Sequence, residues 1–339
     1  MEDIQIIDAP RIKGYLDLDS YFIKKLGKNF LDDVELYKNG LIEYENSGRS
    51  EKFWILDEQG ERIALYKEPI NYDGDETYAE LISEEISKIL GMPTAHYDLA
   101  LYRGTKGVIS YNFVKEYFAY NSGFDIIADF YERYLQEDRS LSELYGIDYD
   151  NDSLEEATNK LNNLEDVWFI LEQKYKDHPY KKIIVSRIVN GLVNKLIFDI
   201  LTVNIDDHSD NWGELERDVA PQFDNARIIN LHKNILTESF SSKESIEDKE
   251  LSLIVDNSDI KKPLEVLEHF LDISSSEYKT LVIEKLNILR ENIDHVPNRI
   301  EKRTEAPMPD YLKKYLKVTM DEHLNKVDEV VNGSGRKLR

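Results

Sequence analysis

Residues 204–211 read NIDDHSDN and place three aspartates, two asparagines and a histidine in eight positions, directly after an apolar helical run. Two explanations compete for such a stretch. Asx side chains bond nearby backbone groups and tolerate left-handed geometry, so an acidic turn at a helix end forms without any function. The same residue types also supply what phosphoryl transfer from ATP demands: a carboxylate to orient an acceptor hydroxyl and take its proton, and an amide and a carboxylate to hold magnesium.

Spacing separates the two. In the protein-kinase template the catalytic Asp stands five residues before a metal-binding Asn, and a second metal-binding Asp follows a short hairpin. Asp206 stands five residues before Asn211, and Asp224, in APQFDNARI, comes thirteen residues later, past WGELERDVAPQF, which can form a short strand and turn. The template also needs a lysine for the α/β phosphates and an acid to anchor it. Lys67 closes the second strand of a candidate hairpin, and the helix after it offers Glu80, Glu84 and Glu85. On a helical wheel Glu85 borders the Ile82/Ile86/Ile89 face and Glu84 points to the far side, so Glu85 is the expected anchor and Glu80 the second choice. A phosphate-covering loop belongs at ENSGRSEKFW, just ahead of the hairpin. Tyr111, Asn112 and Phe113 follow a strand where a hinge holding adenine would lie, although core aromatics read the same way. His208 joins the catalytic set as a brace for the loop, because Asp206 already has the task of base; Asp207 and Asp210 read as solvated.

These residues need a scaffold. FWILDEQGERIALYK, residues 53–67, reads as two short strands around a polar turn. In TYAELISEEISKILG, Ile82, Ile86, Ile89 and Leu90 mark one helical face, and Gly91 with Pro93 stops it. AHYDLALYR and GVISYNFV alternate as strands do. Beyond about residue 115 the pattern turns helical: 124–142 and 153–176 are acidic and amphipathic, the latter with Leu161, Leu164, Val167, Trp168 and Leu171 on one side. KKIIVSRIVNGLVNKLIFDILTV carries Ile184, Ile188, Leu192, Leu196 and Ile200 in a four-residue ladder and should be central. The acidic run LSELYGIDYDNDSLEE reads as solvated surface. The expected architecture is α+β and bilobal, with a strand-rich N-lobe over 1–115, a helical C-lobe over 116–332 and a flexible tail over 333–339.

Composition narrows the function classes. At 339 residues, 41% hydrophobic and 32% charged, the chain can bury a sizeable core. Its 43 basic and 67 acidic residues give a net charge of -24, which disfavours direct nucleic-acid binding and adhesion to anionic membranes and suits a basic protein partner. The absence of cysteine excludes disulfides, thiolate catalysis and cysteine zinc sites. No run reaches the length of a membrane span, and the acidic N-terminus lacks the pattern of a signal peptide, so a cytoplasmic protein is expected, with secretion into a host as the other route.

SGRSEKFW, the strand-end lysine in ALYK, the loop NIDDHSDN and the later PQFDN together resemble the HipA-like serine/threonine kinases, which include the toxin halves of bacterial toxin–antitoxin pairs and their cell-translocating relatives. The resemblance covers roughly residues 44–230. It implies a kinase-like fold, ATP and Mg2+, and transfer to a Ser/Thr hydroxyl of a protein substrate. The family's Asn-x-Asp-x-His-x-x-Asn loop is matched at Asn204, Asp206, His208 and Asn211. By that resemblance Asp206 is catalytic, Asn211 and Asp224 are magnesium ligands, and Lys67 holds the nucleotide. The family's Ser-Gly-x-x-x-Lys loop maps to Ser47, Gly48 and Lys52, which makes Ser47, with Ser50 beside it, a candidate for inactivating autophosphorylation. Ordinary kinases place the histidine before the catalytic Asp and follow the second metal Asp with Phe-Gly; here His208 follows Asp206, and Asn225 follows Asp224. The first forty residues match nothing in the longer toxins, which suggests a compact variant and leaves the family's partner, a small DNA-binding antitoxin, as an open question. The alternatives are a lipid or small-molecule kinase of related fold, a catalytically silent nucleotide-binding regulator and, disfavoured by charge, a metal-dependent nuclease.

Overall fold

A computed structural model describes residues 7–28, 32–45, 51–69, 76–115, 118–135, 140, 142, 145–148, 151–206, 208–231 and 249–333. They divide into two units, each with its own core. The first takes the described residues of Met1–Glu116, Asn230–Lys243 and Glu291–Val318; the second takes those of Tyr117–Ile229, Glu244–Arg290 and Thr319–Arg339. The strand-rich unit therefore includes a late segment, around residues 291–318, that sequence order alone assigns to the helical part.

The first unit is built on seven strands, β1 (Arg11–Ile12), β2 (Tyr15–Asp17), β3 (Ile42–Tyr44), β4 (Lys52–Leu56), β5 (Arg62–Lys67), β6 (Tyr97–Tyr102) and β7 (Thr105–Tyr111), in the order β1-β2-β6-β7-β5-β4-β3. Neighbours are antiparallel except β2 and β6. The expected hairpin is β4–β5, with Lys52 opposite Lys67. Its turn forms because the Asp57 carboxylate accepts from the Gln59 and Glu61 amides at 2.8 and 2.9 Å, and Gly60 supplies a φ of 85°. Gly107 on β7 is required by a close approach: a Cβ there would lie 2.5 Å from the Lys67 carbonyl oxygen. Helices α1 (Leu18–Leu26), α2 (Asp33–Lys38) and α3 (Glu76–Ile89) belong to this unit, as does the later helix Val296–Thr304, and the first two are capped by Asp17 and Asp32. Phe53 packs on Tyr66 and Tyr102 at ring separations of 5.1 and 4.9 Å, at the centre of the core.

The second unit is mainly helical: α4 (Gly123–Phe130), continuing as a π-turn over Tyr131–Leu135, then α5 (Leu154–Lys160), α6 (Leu164–Lys174), α7 (Lys181–Thr202), α8 (Pro263–Ile273) and most of α9 (Ser276–Asn292). A small sheet joins β8 (Tyr120–Ser122), β9 (Gly213–Leu215) and β10 (Asp218–Val219), so the stretch expected to form a short strand and turn forms a two-stranded hairpin, β9–β10. The helical stretch expected over 153–176 is two helices. Ser153 opens the first with a capping box to Glu156, and Asn163 opens the second by accepting from the Asp166 amide, so the Asn-Asn step that reads as helical interior is a break. The ladder of α7 is buried along its length, from Ile184 through Ile188, Leu192 and Leu196 to Ile200. Among the described residues no helix is long and apolar enough to cross a membrane.

Candidate active site

The first unit holds the lysine. Lys67 ends β5 with its side chain 14% exposed, and its Nζ lies 3.6 Å from the Glu80 carboxylate, itself 2% exposed. The glutamate beside Lys67 is thus Glu80, the second choice, whereas Glu85 was expected. Five residues along a helix turn a side chain by about 500°, or about 140° net, so the two glutamates cannot both face the strand. Glu85 instead lies 3.1 Å from Lys88 and 3.7 Å from Arg303. Glu84, expected on the far side, is fully buried. The helix Val296–Thr304 packs on α3 and supplies Arg303, whose guanidinium donates to Glu84 at 2.7 Å; the Tyr97 amide donates at 3.1 Å, and His96 and Lys88 each lie 2.7 Å away. Burial alone would raise the Glu84 pKa, but the His96 hydrogen bond and the Arg303 and Lys88 charges hold it at about 2.

At the expected hinge, Tyr111 is a core residue, stacked on His96 at 5.2 Å. Asn112 ties the strand end to β5 by donating to the Arg62 carbonyl at 2.8 Å, and Phe113 follows it half-buried. Lys52 lies at the start of β4; Ser47, Gly48 and Ser50 lie outside the described residues.

The second unit holds the acidic loop. Helix α7 ends at Val203, which adopts φ 50° and ψ 52°. A β-branched residue in that region carries strain on the order of 1–3 kcal/mol, and it turns the chain sharply into Asn204. The buried Asn204 side chain donates to Asp199 at 2.9 Å and to Asn225 at 3.0 Å, bolting the start of the loop to the residue after Asp224. The Asn211 amide donates to the Asp206 carbonyl, and the Asn211 N–H donates to the His208 carbonyl at 2.9 Å. His208 Nδ1 accepts from the Asp210 amide at 3.3 Å, capping the single 3-10 turn Ser209–Asn211. Asp210 is exposed, while Asp207 lies outside the described residues. Asp224 sits in the left-handed region at φ 55°.

Behind the loop stands a support that the motifs did not disclose. Trp212, next to Asn211 and 2% exposed, donates from its indole nitrogen to Asn162 at 2.9 Å. Asn162 donates to the Ser252 carbonyl at 3.4 Å, and the Ser252 hydroxyl donates to the Ile205 carbonyl at 3.0 Å, which links the two ends of the loop. The Gly123 amide donates to the Trp212 carbonyl at 2.8 Å, and a Cβ at Gly123 would lie 2.3 Å from the indole. Glu214 on β9 is held by Lys174 at 2.6 Å and by the Tyr175 hydroxyl, whose pKa is pushed up by burial and by that bond. The one local signal for this support is the tryptophan directly after the motif; Asn162 and Ser252 lie 50 and 47 residues from their partners.

The donor chemistry of Asn211 and Asp224 is of the kind that suits magnesium. Mg2+ takes hard oxygen ligands and keeps one or two protein groups alongside waters and phosphates. Asp224 offers a carboxylate. Asn211 donates its NH2 to the Asp206 carbonyl, which turns the amide oxygen, the end able to ligate a metal, the other way. Lys67, aligned by Glu80, is a cation of the kind that meets phosphate oxygens.

A strand-rich unit with a lysine–glutamate pair and a mainly helical unit with an ordered Asp-Asn-Asp set define a kinase-like α+β fold. Among solved structures, the proinflammatory kinase CtkA of Helicobacter pylori superposes with a TM-score of 0.55 at 17% identity, over 84% of this chain and 93% of that one. HipA of the Shewanella oneidensis toxin–antitoxin system, solved with HipB and its operator DNA, superposes more loosely, with a TM-score of 0.47 at 15% identity over 92% of this chain and 72% of that one. No family model and no curated protein matches the sequence. The likeness to the kinase CtkA, at 17% identity, is a likeness of fold.

Proposed function

We propose that this chain is an ATP- and magnesium-dependent protein kinase of the HipA-like type, acting on serine or threonine hydroxyls. The observation that carries this reading is that the motif residues are tied to one another: Asn211 is bonded to Asp206, five residues back, and Asn204 to Asn225, beside Asp224 and 21 residues on. A solvated Asx turn needs no such bolts, and it gives no reason to bury Asn204 and Asn211.

In this mechanism Asp206 accepts a hydrogen bond from the substrate hydroxyl and takes its proton as the oxygen attacks. The new O–P bond forms as the bond from the γ-phosphorus to the β,γ-bridging oxygen breaks, and ADP leaves. Lys67 holds phosphate oxygens with Glu80 fixing its direction, and Asn211 with Asp224 holds the metal. Magnesium supplies neutralisation of the charge that develops on the phosphate oxygens. There is no covalent enzyme intermediate; positioning and electrostatics carry the rate. A net charge of -24 favours a basic protein as acceptor, and a cysteine-free chain suits a reducing compartment such as the cytoplasm. Ser47 and Ser50 are the candidate positions for self-modification.

The test is incubation of the full chain with γ-labelled ATP and magnesium, with added basic protein substrates and inositol lipids, and mapping of the label by mass spectrometry. Label on serine or threonine that disappears in Asp206→Ala and Asp224→Ala is the expected result. Label on lipid alone would move the assignment to a lipid kinase, and bound ATP without transfer would make the chain a silent nucleotide binder.

A further inference from the structure

The loop 204–211 carries three aspartates and neither lysine nor arginine. A cation nevertheless reaches Asp206: Arg227 Nε lies 3.3 Å from its Oδ2. The chain delivers that arginine by reversing through the left-handed Asp224 and the turn at Ala226 and Arg227. Stability does not account for the pair, since its side chains are 36% and 30% exposed and ion pairs in such settings add little. Its geometry has a different consequence. The Asn211 amide fixes the backbone carbonyl of Asp206, while the planar, rigid guanidinium tethers one carboxylate oxygen, so rotation of the carboxylate is restrained and the direction of Oδ1 follows.

We propose that Arg227 is the positioning residue for Asp206, setting the carboxylate oxygen that receives the acceptor hydroxyl. The inference rests on the kinase reading above and deepens it, because it names how this chain orients its base. Arg227 acts through Asp206 and not on the nucleotide, which makes its effect separable from that of a phosphate contact.

The experiment compares wild type, Arg227→Gln and Arg227→Lys as full chains, with melting temperatures as the folding control. In phosphotransfer assays Arg227→Gln should lower kcat roughly ten- to a hundredfold with KM for ATP changed less than about twofold, the pattern of lost orientation. Arg227→Lys should regain part of the rate, because its cation can still reach Oδ2 but lacks the rigid plane of the guanidinium. A second arm needs no turnover: hydrogen–deuterium exchange of the nucleotide-free protein, read on the peptide spanning 204–211, should quicken in Arg227→Gln and not in Arg227→Lys. A raised KM for ATP at unchanged kcat would overturn the proposal by making Arg227 a nucleotide contact. Unchanged exchange in Arg227→Gln would overturn it whether or not the wild type transfers phosphate. A wild type that transfers no phosphate, with exchange still quickened, would overturn the kinase reading and the catalytic purpose of the pair together, while locating the failure in the chemistry and not in the contact.

Discussion

Glu84 and Asp206 are both carboxylates beside an arginine, and the fold treats them in opposite ways. Glu84 is fully buried, with Arg303, Lys88, His96 and a backbone amide around it, and its pKa is held at about 2. Asp206 keeps 30% of its side chain exposed, with Arg227 at 3.3 Å on one oxygen. A buried carboxylate must be neutralised from several directions, since its desolvation exceeds what one partner returns. A carboxylate that receives a substrate hydroxyl has to stay within reach of solvent. In a chain with 43 basic against 67 acidic residues, cations are the scarcer resource, and several gather where a charge is buried. On the proposed function, the difference separates an acid that holds the fold from the acid assigned to the chemistry, and it yields measurements that can break the distinction.

The largest expected effect is on the loop. Asp206→Asn should lower phosphotransfer by about 10³-fold, close to 4 kcal/mol of barrier, while the melting temperature moves by no more than about 2 °C, as for other surface changes. A loss of stability comparable to that of a core variant would place Asp206 with the structural acids.

Glu84→Gln should do the reverse. Removing the charge takes the nearest carboxylate from half-buried Arg303 and leaves it only the longer contact to Glu85, and the expected cost is about 3 kcal/mol, the worth of a pKa lowered from its ordinary value to about 2. Thermal or urea unfolding measures it, and the specific activity of the folded fraction should stay near wild type. The pH dependence follows from the direction of the shift. A carboxylate with a depressed folded-state pKa contributes fully above its unfolded value, and that contribution fades as pH falls toward the folded value. The stability gap between wild type and Glu84→Gln should therefore be flat from pH 8 to about 5 and narrow below about 4.5. A gap that widened on acidification would mean that Glu84 is not ionised in the folded protein.

The candidate site's local geometry was far more legible in the sequence than the buried cluster around Glu84. Asp206, Asn211 and Asp224 are separated by short, fixed spacings, and the ladder of α7 and the β4–β5 hairpin are local patterns, so all could be read without tertiary information. Glu84 could not: its guanidinium partner stands 219 residues away, and the helical wheel assigns its face to solvent because the helix Val296–Thr304 that covers it is invisible locally. The late segment that joins the strand-rich unit was hidden for the same reason. The break at Asn163 was available in principle, because two successive asparagines favour a cap over a helix interior, but the leucines on either side kept the helical period. Arg227 lies within the quoted motif neighbourhood, yet its direction depends on the left-handed backbone at Asp224, which residue type alone does not reveal.

The smallest effect tests the boundary between the two classes, since α3 carries acids of both kinds. Glu80 faces Lys67, whereas Glu85 faces Lys88 and Arg303. Glu80→Gln leaves a lysine that is still charged but no longer aimed, so KM for ATP should rise about tenfold, near 1.4 kcal/mol, with kcat less affected. Glu85→Gln should leave both constants within about twofold of wild type, because Glu84 still neutralises Arg303 and Lys88. If Glu85→Gln were the variant that lost ATP affinity, the lysine would exchange partners when nucleotide binds, and the wheel-based choice of Glu85 would describe the working state better than the pairing with Glu80 does.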